Sequence, residues 1–509
     1  MCGILFSNDN KFSSKTFRDS LELINHRGPD NTGYFELENI KMGHKRLSIQ
    51  DLSIRSNQPL QRGDNLIIFN GEVYNFLRLK KEHNLDLKTS SDTEVILAMY
   101  EKYSENCLRY FNGMFSFVIF NIKTKETFTA RDRLGVKPLY YAGDLSKNFS
   151  VSSEIAPLLE VYGNELNQFG LRQYKKLRMC IKGSTIYKSI SQFPPGHFCR
   201  NGKLIKYWEL DNTFKDDPKD ETLEELIQDA VKLRSISDVE VGSYLSGGLD
   251  STIISYILQP DQTWTVGFEN DNEFKWGNIV AQNIGTDHSE RIVTYDEFLK
   301  TIKLMVNKRK EPLSVPNEVL IYLMTLDVCK KNTVVLSGEG ADELFWGYDR
   351  IFKKVHLDNK LDIKTFNDYY CYGSEPDDEV IDYALEGLLG YDSVQKLGYY
   401  FQVHHLNGLL RRLDSSTMLC SVEARTPFVD YRLVEMMAGT SFEWKVGNSF
   451  KVPLKRIFND KIPKPIIHRT KVGFPVPLEK IFSSQIYAGN KPIDKWFNYN
   501  LNLLGIQNN

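Results

Sequence analysis

The sequence predicts an α/β protein built from two parts, and three features predict it. Hydrophobic residues make up 41% of the 509, aromatics 12% and charged residues 26%, ordinary globular usage for a chain long enough to fill two or three cores. Short apolar runs of strand length alternate with amphipathic stretches along both halves. A polar, charged segment at 211–221 stands between those halves. This composition excludes global disorder and collagen-like repeats.

In the first part, Phe17, Leu21 and Ile24 recur at helical spacing, and 66–69 and 114–120 are apolar, aromatic-rich runs of strand length. Asp92 stands at the N-cap position of a helix carrying Val95, Ile96, Met99 and Tyr103. These elements predict an α+β or layered α/β domain over 1–210. The second part, 211–509, opens with an amphipathic helix (Leu223, Leu226, Ile227, Ala230, Val231). Strands are predicted at 239–245, 263–268, 288–294 and 333–336, with helices at 272–284 and 316–331 between them. Such alternation makes a parallel sheet covered on both faces, whose ligands bind beyond the carboxyl ends of the strands.

Sixty-four basic against 66 acidic residues give a net charge of -2, so no field of one sign points to nucleic acid or an anionic membrane. No stretch approaches the ~18 apolar residues of a membrane span, and the opening Met-Cys-Gly-Ile-Leu-Phe is too short for a secretory leader. The seven cysteines are scattered and never form a Cys-x-x-Cys pair, which argues against a disulfide framework or a zinc site. A cytoplasmic protein acting on small molecules is the expectation.

Cys2 draws attention by its position. Removal of Met1 would place a thiol and a free α-amine of pKa ~8 on one residue, combining nucleophile and base. Downstream stand His26-Arg27-Gly28-Pro29-Asp30, Gly43-His44-Lys45-Arg46-Leu47-Ser48-Ile49, Asn70-Gly71-Glu72-Val73-Tyr74-Asn75 and Ser91-Asp92-Thr93-Glu94. Together with Cys2-Gly3-Ile4 they resemble the glutamine amidotransferase domain of the N-terminal-nucleophile (Ntn) type. The resemblance implies Arg46 for the α-carboxylate of glutamine, Glu72 and Asp92 for its ammonium, and the Asn70 side chain with the Gly71 N–H for the oxyanion, in keeping with the need to pair buried charge. Taken alone, Asn70-Gly71 reads equally as a hairpin turn and Arg46 as a surface cation.

Ser246-Gly247-Gly248-Leu249-Asp250-Ser251 follows one apolar strand and precedes an apolar helix, a setting in which backbone N–H groups can cradle an anion. It has neither the Gly-Lys-Ser/Thr of a Walker loop nor dinucleotide-fingerprint spacing. It resembles the pyrophosphate loop of ATP pyrophosphatases. Ser337-Gly338-Glu339-Gly340-Ala341-Asp342-Glu343 follows another short strand; Asp250 and Asp342 are candidate Mg²⁺ ligands, Glu339 a candidate base, and Glu343 reads as a helix-capping acid. A third signature runs through Asp414, Met418, Ser421, Glu423, Arg425 and Pro427-Phe428-Val429-Asp430; a fourth through Lys451, Arg469, Lys471, Gly473 and Phe474.

In this order, the signatures resemble glutamine-hydrolysing asparagine synthetase from Cys2 to about Phe474. The resemblance implies an N-terminal αββα Ntn-type sandwich, a parallel-sheet α/β ATP pyrophosphatase domain, an ammonia tunnel, Mg²⁺ as cofactor and a possible homodimer. It implies glutamine, ATP and aspartate, or a related carboxylate such as a sugar acid, as substrates. A catalytically silent relative is the alternative from another class. Ser246, Gly247, Gly248, Asp250, Ser251, Val266, Ser337 and Gly338 would hold ATP, and Lys451 would neutralise the leaving pyrophosphate. Three residues depart from the family pattern: Ser415 and Lys455 replace its usual Arg, and Trp346 its usual Gly. All three are expected near the acceptor or phosphates.

Overall fold

Two strand-length runs, 66–69 and 114–120, form the centre of one antiparallel sheet. In the computed structural model, which describes residues 1–388, 390–447, 449–469, 475–483, 489 and 491–506, Asn65–Val73 pairs with Gly113–Asn121. Thr127–Arg131, His197–Arg200 and Lys203–Lys206 extend this sheet on one side and Leu60–Arg62 on the other. A second antiparallel sheet runs in the order Ile190–Gln192, Tyr140–Gly143, Phe149–Ser152, Gly3–Ser7, Ile40–Arg46, Asn31–Leu37. Because strand side chains alternate, Leu66, Ile68, Val118 and Phe120 meet Ile4, Phe6, Met42 and Val151 between the sheets. Ile67, Phe69, Phe117 and Ile119 face the helix Asp92–Tyr103 instead. Leu5 packs with Phe17 and Leu21 of the helix Ser14–Glu22 on the far side, completing the αββα sandwich.

One local expectation changes. The N-cap of the helix Asp92–Tyr103 is Ser91, whose side chain accepts from the Thr93 N–H. Asp92 is the first helical residue, and its Oδ2 accepts from Val73 N at 2.8 Å on the neighbouring sheet.

The C-terminal sheet is wholly parallel, in the order Asp287–Val293, Gln262–Phe268, Val241–Tyr244, Val334–Leu336, Glu423–Arg425. Val335 faces a cluster with Ile302, Val319 and Leu320, while Val334 and Leu336 face Ile227, Ile253 and Val280, so helices cover both faces. The strand order reverses between Val241–Tyr244 and Val334–Leu336, which opens a crevice beyond their carboxyl ends. The loops 246–251 and 337–343 both start there. The strand Glu423–Arg425 escapes sequence reading: three residues, two of them charged, carry no strand periodicity. All seven cysteines are free thiols, and among the described residues no helix is long and apolar enough to cross a membrane.

The two halves share a buried core in which Met1, Leu47 and Tyr74 join Leu406, Met418 and Phe428. Beside it, Asp414 takes Arg27 Nη1 at 2.9 Å and Lys137 Nζ at 3.3 Å, all three side chains almost fully buried. Breaking a buried pair from one side strands the remaining charge, typically at a cost of ~3–5 kcal/mol. Asp414→Leu is therefore expected to lower the midpoint of a urea unfolding titration substantially; an unchanged midpoint would show that the halves do not lean on each other here.

Candidate functional site

The first site forms where the strand starting at Gly3 lies beside Asn65–Val73. Cys2 is 9% exposed, and its backbone N–H donates to Asn70 Oδ1 at 3.1 Å. Asn70 is itself fully buried, and its Nδ2 donates to no described residue. A buried amide with one end spoken for and the other open is suited to receive an oxyanion. Gly71 has φ +147°, and a Cβ there would stand 2.0 Å from the Met114 carbonyl oxygen, so only glycine fits. Burial pushes the Cys2 thiol up, while the chain-terminal ammonium and Arg46 pull the other way.

Arg46 donates to Ser53 O at 2.8 Å, to Asn57 Oδ1 at 2.6 Å and to Asp51 O, with no carboxylate in ion-pair range among the described residues. Its charge is positioned by neutral acceptors and left uncancelled. Opposite in sign, Glu72 and Asp92 are both buried. Burial, then the Asp92 charge, drives Glu72 well above the usual carboxylate range. Asp92 is pushed up to about 7 by burial, with Glu423 adding to it. The nearest cation to Glu72 is Arg425 Nη2, 3.5 Å from Oε1. Two buried acids raised together form a region short of positive charge, which an ammonium would relieve.

The sign of the pH effect follows. The folded-state value of Asp92 lies above the ordinary one, so the folded chain holds the extra proton, and this site's contribution to stability declines as pH rises from about 4 to about 7. Pairing with an ammonium needs the ionised form. An ammonium-bearing ligand at these two acids is therefore expected to bind more tightly as pH rises through about 7, and Asp92→Asn to flatten that dependence; titration with an amino acid ligand across the pH range checks both.

The second site is a cavity of about 630 Å³ at the reversal of strand order, lined by Ser246, Gly248, Asp250, Ser251, Val266, Ser337, Gly338, Glu339, Asp342 and Lys451 among others. Ser246 Oγ accepts from Gly248 N at 3.2 Å and lies 3.1 Å from Ser251 Oγ, which folds the loop onto the start of the helix Leu249–Leu258. Gly247 does not line the cavity. It has φ +69°, a Cβ there would stand 2.3 Å from Trp276 backbone, and its carbonyl accepts from Arg469 Nη1 at 2.9 Å, so it shapes the loop from behind. Lys451, 2% exposed, bridges Asp250 Oδ2 at 2.5 Å and Asp342 Oδ1 at 2.6 Å. Burial opposes its charge, but the two carboxylates outweigh that and hold it above the usual lysine range. Glu339 Oε2 accepts from Arg412 Nη2 at 2.7 Å, and its Oε1 accepts from no described residue.

The cavity thus gathers every residue predicted around ATP and the metal except Gly247. Other expectations change. Glu343 caps no helix end; it lines the cavity and accepts from Tyr348 OH at 2.6 Å. Trp346 and Ser415 are absent from the cavity wall, which includes Lys455. Trp346 stacks on Phe352 with centroids 4.6 Å apart, 1% exposed, in a separate aromatic core. Lys471, Gly473 and Phe474 lie outside the described residues. Sequence reading gave no role to Arg27, whose Nε donates to Cys2 O at 3.0 Å, although its motif drew notice. It likewise gave none to Arg425, which comes from the unrecognised strand.

Residues 1–208 match the family described as glutamine amidotransferase domain, and 222–488 match the family described as asparagine synthase. The chain is 29% identical to asparagine synthetase [glutamine-hydrolyzing] 1 of Bacillus subtilis, over 90% of this chain and 83% of that one. It is also 29% identical to asparagine synthetase [glutamine-hydrolyzing] 3 of the same organism, over 93% and 87%. Asparagine synthetase [glutamine-hydrolyzing] 3 of Arabidopsis thaliana is 28% identical, over 93% and 78%.

Proposed function

The chain belongs to the glutamine-hydrolysing asparagine synthetase family, an ATP-dependent amidotransferase class, and from that premise we propose that it converts aspartate to asparagine with nitrogen taken from glutamine. Residues 1–210 act as glutaminase and 211–509 as synthetase. One constellation carries the reading: a Cys2–Asn70 pair at 3.1 Å and a lysine bridging two carboxylates at a phosphate loop, in the same chain.

With Met1 removed, the Cys2 thiolate attacks the glutamine amide carbon while Arg46 holds the α-carboxylate and Glu72 with Asp92 the ammonium. The C–N bond breaks, the α-amine of Cys2 passes its proton to the departing nitrogen, and ammonia leaves a thioester. Asn70 Nδ2 and Gly71 N–H stabilise the oxyanion, an effect typically worth ~3–4 kcal/mol per donor. Water then cleaves the thioester to glutamate and restores the thiol.

In the cavity, an oxygen of the acceptor carboxylate attacks the α-phosphorus of ATP. The α–β phosphoanhydride bond breaks and pyrophosphate leaves, held by the 246–251 loop and Lys451. Ammonia then adds to the acyl carbon, Glu339 takes a proton, and AMP departs. Asp250 and Asp342 suit Mg²⁺: both offer hard oxygens at the phosphate loop, and the ion neutralises phosphate charge when bound. Among the described residues no cluster of three or more His, Cys, Asp or Glu forms a protein cage, and Mg²⁺ ordinarily takes several of its oxygens from phosphates and water.

The test is AMP and pyrophosphate release by the purified chain with ATP, Mg²⁺, glutamine and a panel of carboxylates. Aspartate is expected to give one AMP for each amide formed. A sugar acid that outperforms aspartate would move the chain to another acceptor within the family, and silence in both half-reactions would leave a catalytically inert relative.

A further inference from the structure

One wall of the cavity carries ionisable side chains that the proposed chemistry does not use. Arg178 follows the helix Gln168–Leu177 of the N-terminal half, in the left-handed conformation (φ +69°), and reaches the cavity of the C-terminal half. It donates to Tyr372 OH at 3.1 Å and lies 4.0 Å from that ring's centroid, and its Nη2 is 3.5 Å from His405 Nδ1. Among the described residues, no carboxylate lies within ion-pair distance of it. Glu343 is its mirror image: 1% exposed, bonded to Tyr348 OH, 3.5 Å from His405 Nε2, and without a lysine or arginine in ion-pair range among the described residues. Burial, with Arg178 and Arg412 nearby, keeps His405 neutral, so it cancels neither charge.

Tyr348 OH also lies 3.2 Å from His405 Nε2, and Tyr370 OH 2.7 Å from His405 Nδ1. The guanidinium and the carboxylate are therefore the ends of one fixed hydrogen-bonded row, Arg178–His405–Tyr348–Glu343, along a wall that also includes Glu339. A half-buried guanidinium and a buried carboxyl group held apart, each without a partner of opposite charge among the described residues, fit a ligand that carries both an ammonium and a carboxylate.

Resting on the amidation reading above, we infer that Arg178 and Glu343 recognise the non-reacting end of the acceptor. The carboxylate of that end sits on Arg178 and its ammonium on Glu343, so the acceptor is an amino acid with a second, reacting carboxylate. A sugar acid, with neutral hydroxyls in place of both charges, would leave the two side chains unrelieved. Specificity in the synthetase cavity is thus partly supplied by the half of the chain that hydrolyses glutamine.

The experiment measures AMP formation by the full chain with ammonium, using aspartate, succinate (no amine), 3-aminopropanoate (no second carboxylate) and a sugar acid. The parent is expected to favour aspartate over each by about 100-fold or more in kcat/KM, because each analogue leaves Arg178, Glu343 or both without a partner. Arg178→Met is expected to lose about 100-fold on aspartate, mainly in KM, while its low activity with 3-aminopropanoate, KM for ATP and glutaminase rate stay within about threefold. Arg178→Lys should recover part of the loss, since it restores charge without the planar fork. Glu343→Gln should penalise aspartate and spare succinate. Equal losses on aspartate and 3-aminopropanoate, or a parent that accepts a sugar acid as well as aspartate, would overturn the assignment. Should Arg178→Met not fold, the ranking of the four acceptors by the parent decides. Absence of AMP with every acceptor sinks the amidation reading, and this inference with it; AMP formation from aspartate that is insensitive to Arg178→Met and Glu343→Gln sinks only the inference.

Discussion

Cys2→Ala is expected to lower glutamine-dependent synthesis by ~10⁴-fold or more while synthesis from added ammonium stays within about twofold of the parent. The size of the loss reflects the absence of any substitute: the other cysteine thiols lie elsewhere in the fold, and neither Asn70 nor Arg46 can form a thioester. The selectivity reflects geometry. Cys2 lies in the N-terminal sandwich, bonded to Asn70, whereas the residues around the phosphate loop belong to a different sheet. Parallel assays of asparagine formation from the two nitrogen sources read both effects. A variant that loses both activities equally would contradict the division of labour between the halves.

Glu339→Gln is the second large effect, and it runs the other way. The substitution keeps the side chain's shape and an oxygen able to accept from Arg412 Nη2, which lies 2.7 Å away in the parent. It removes only the capacity to take a proton. Loss of a general base is typically worth ~10²–10⁴-fold, and amide formation from either nitrogen source is expected to fall by that amount. Glutaminase activity should persist. So should exchange of labelled pyrophosphate into ATP in the presence of acceptor, because adenylation precedes the proton transfer assigned to Glu339. Loss of exchange together with amide formation would make Glu339 a residue that holds the cavity's shape and not a base.

Legibility in the sequence followed the range of the interactions. Four of the five strands of the parallel sheet were readable because apolar runs and intervening amphipathic helices are local patterns. The 246–251 and 337–343 loops were readable because their residues, each following a strand, resemble the family's signatures in the family's order; small residues alone would read as a tight turn. Glu423–Arg425 was not: its strand is held by pairing to Val334–Leu336, nearly 90 positions earlier, and its charges are matched by distant groups. Asp92 was visible as an acid at a helix start but misassigned as the cap, because its bond to Val73 exists only once the sheet is in place. Trp346 could not be located from its neighbours either. As a departure from the family it pointed towards the acceptor, whereas packing against Phe352 and Phe442 carries it into another core.

By itself, the sequence determined which two chemistries the chain can bring together: a thiol at its start with residues suited to glutamine, and a phosphate loop with carboxylates suited to a nucleotide. Those are properties of residue type and short spacing, and they survive without knowledge of the fold. Only the tertiary structure decided what surrounds each charge. Whether Glu343 caps a helix or faces a cavity, and whether Arg178 meets solvent or the far half of the molecule, depends on contacts between segments that are distant in sequence, such as Arg178 with Tyr372 and His405. Such contacts are fixed by the packing of whole layers, and burial then makes the charge of a single unmatched side chain count.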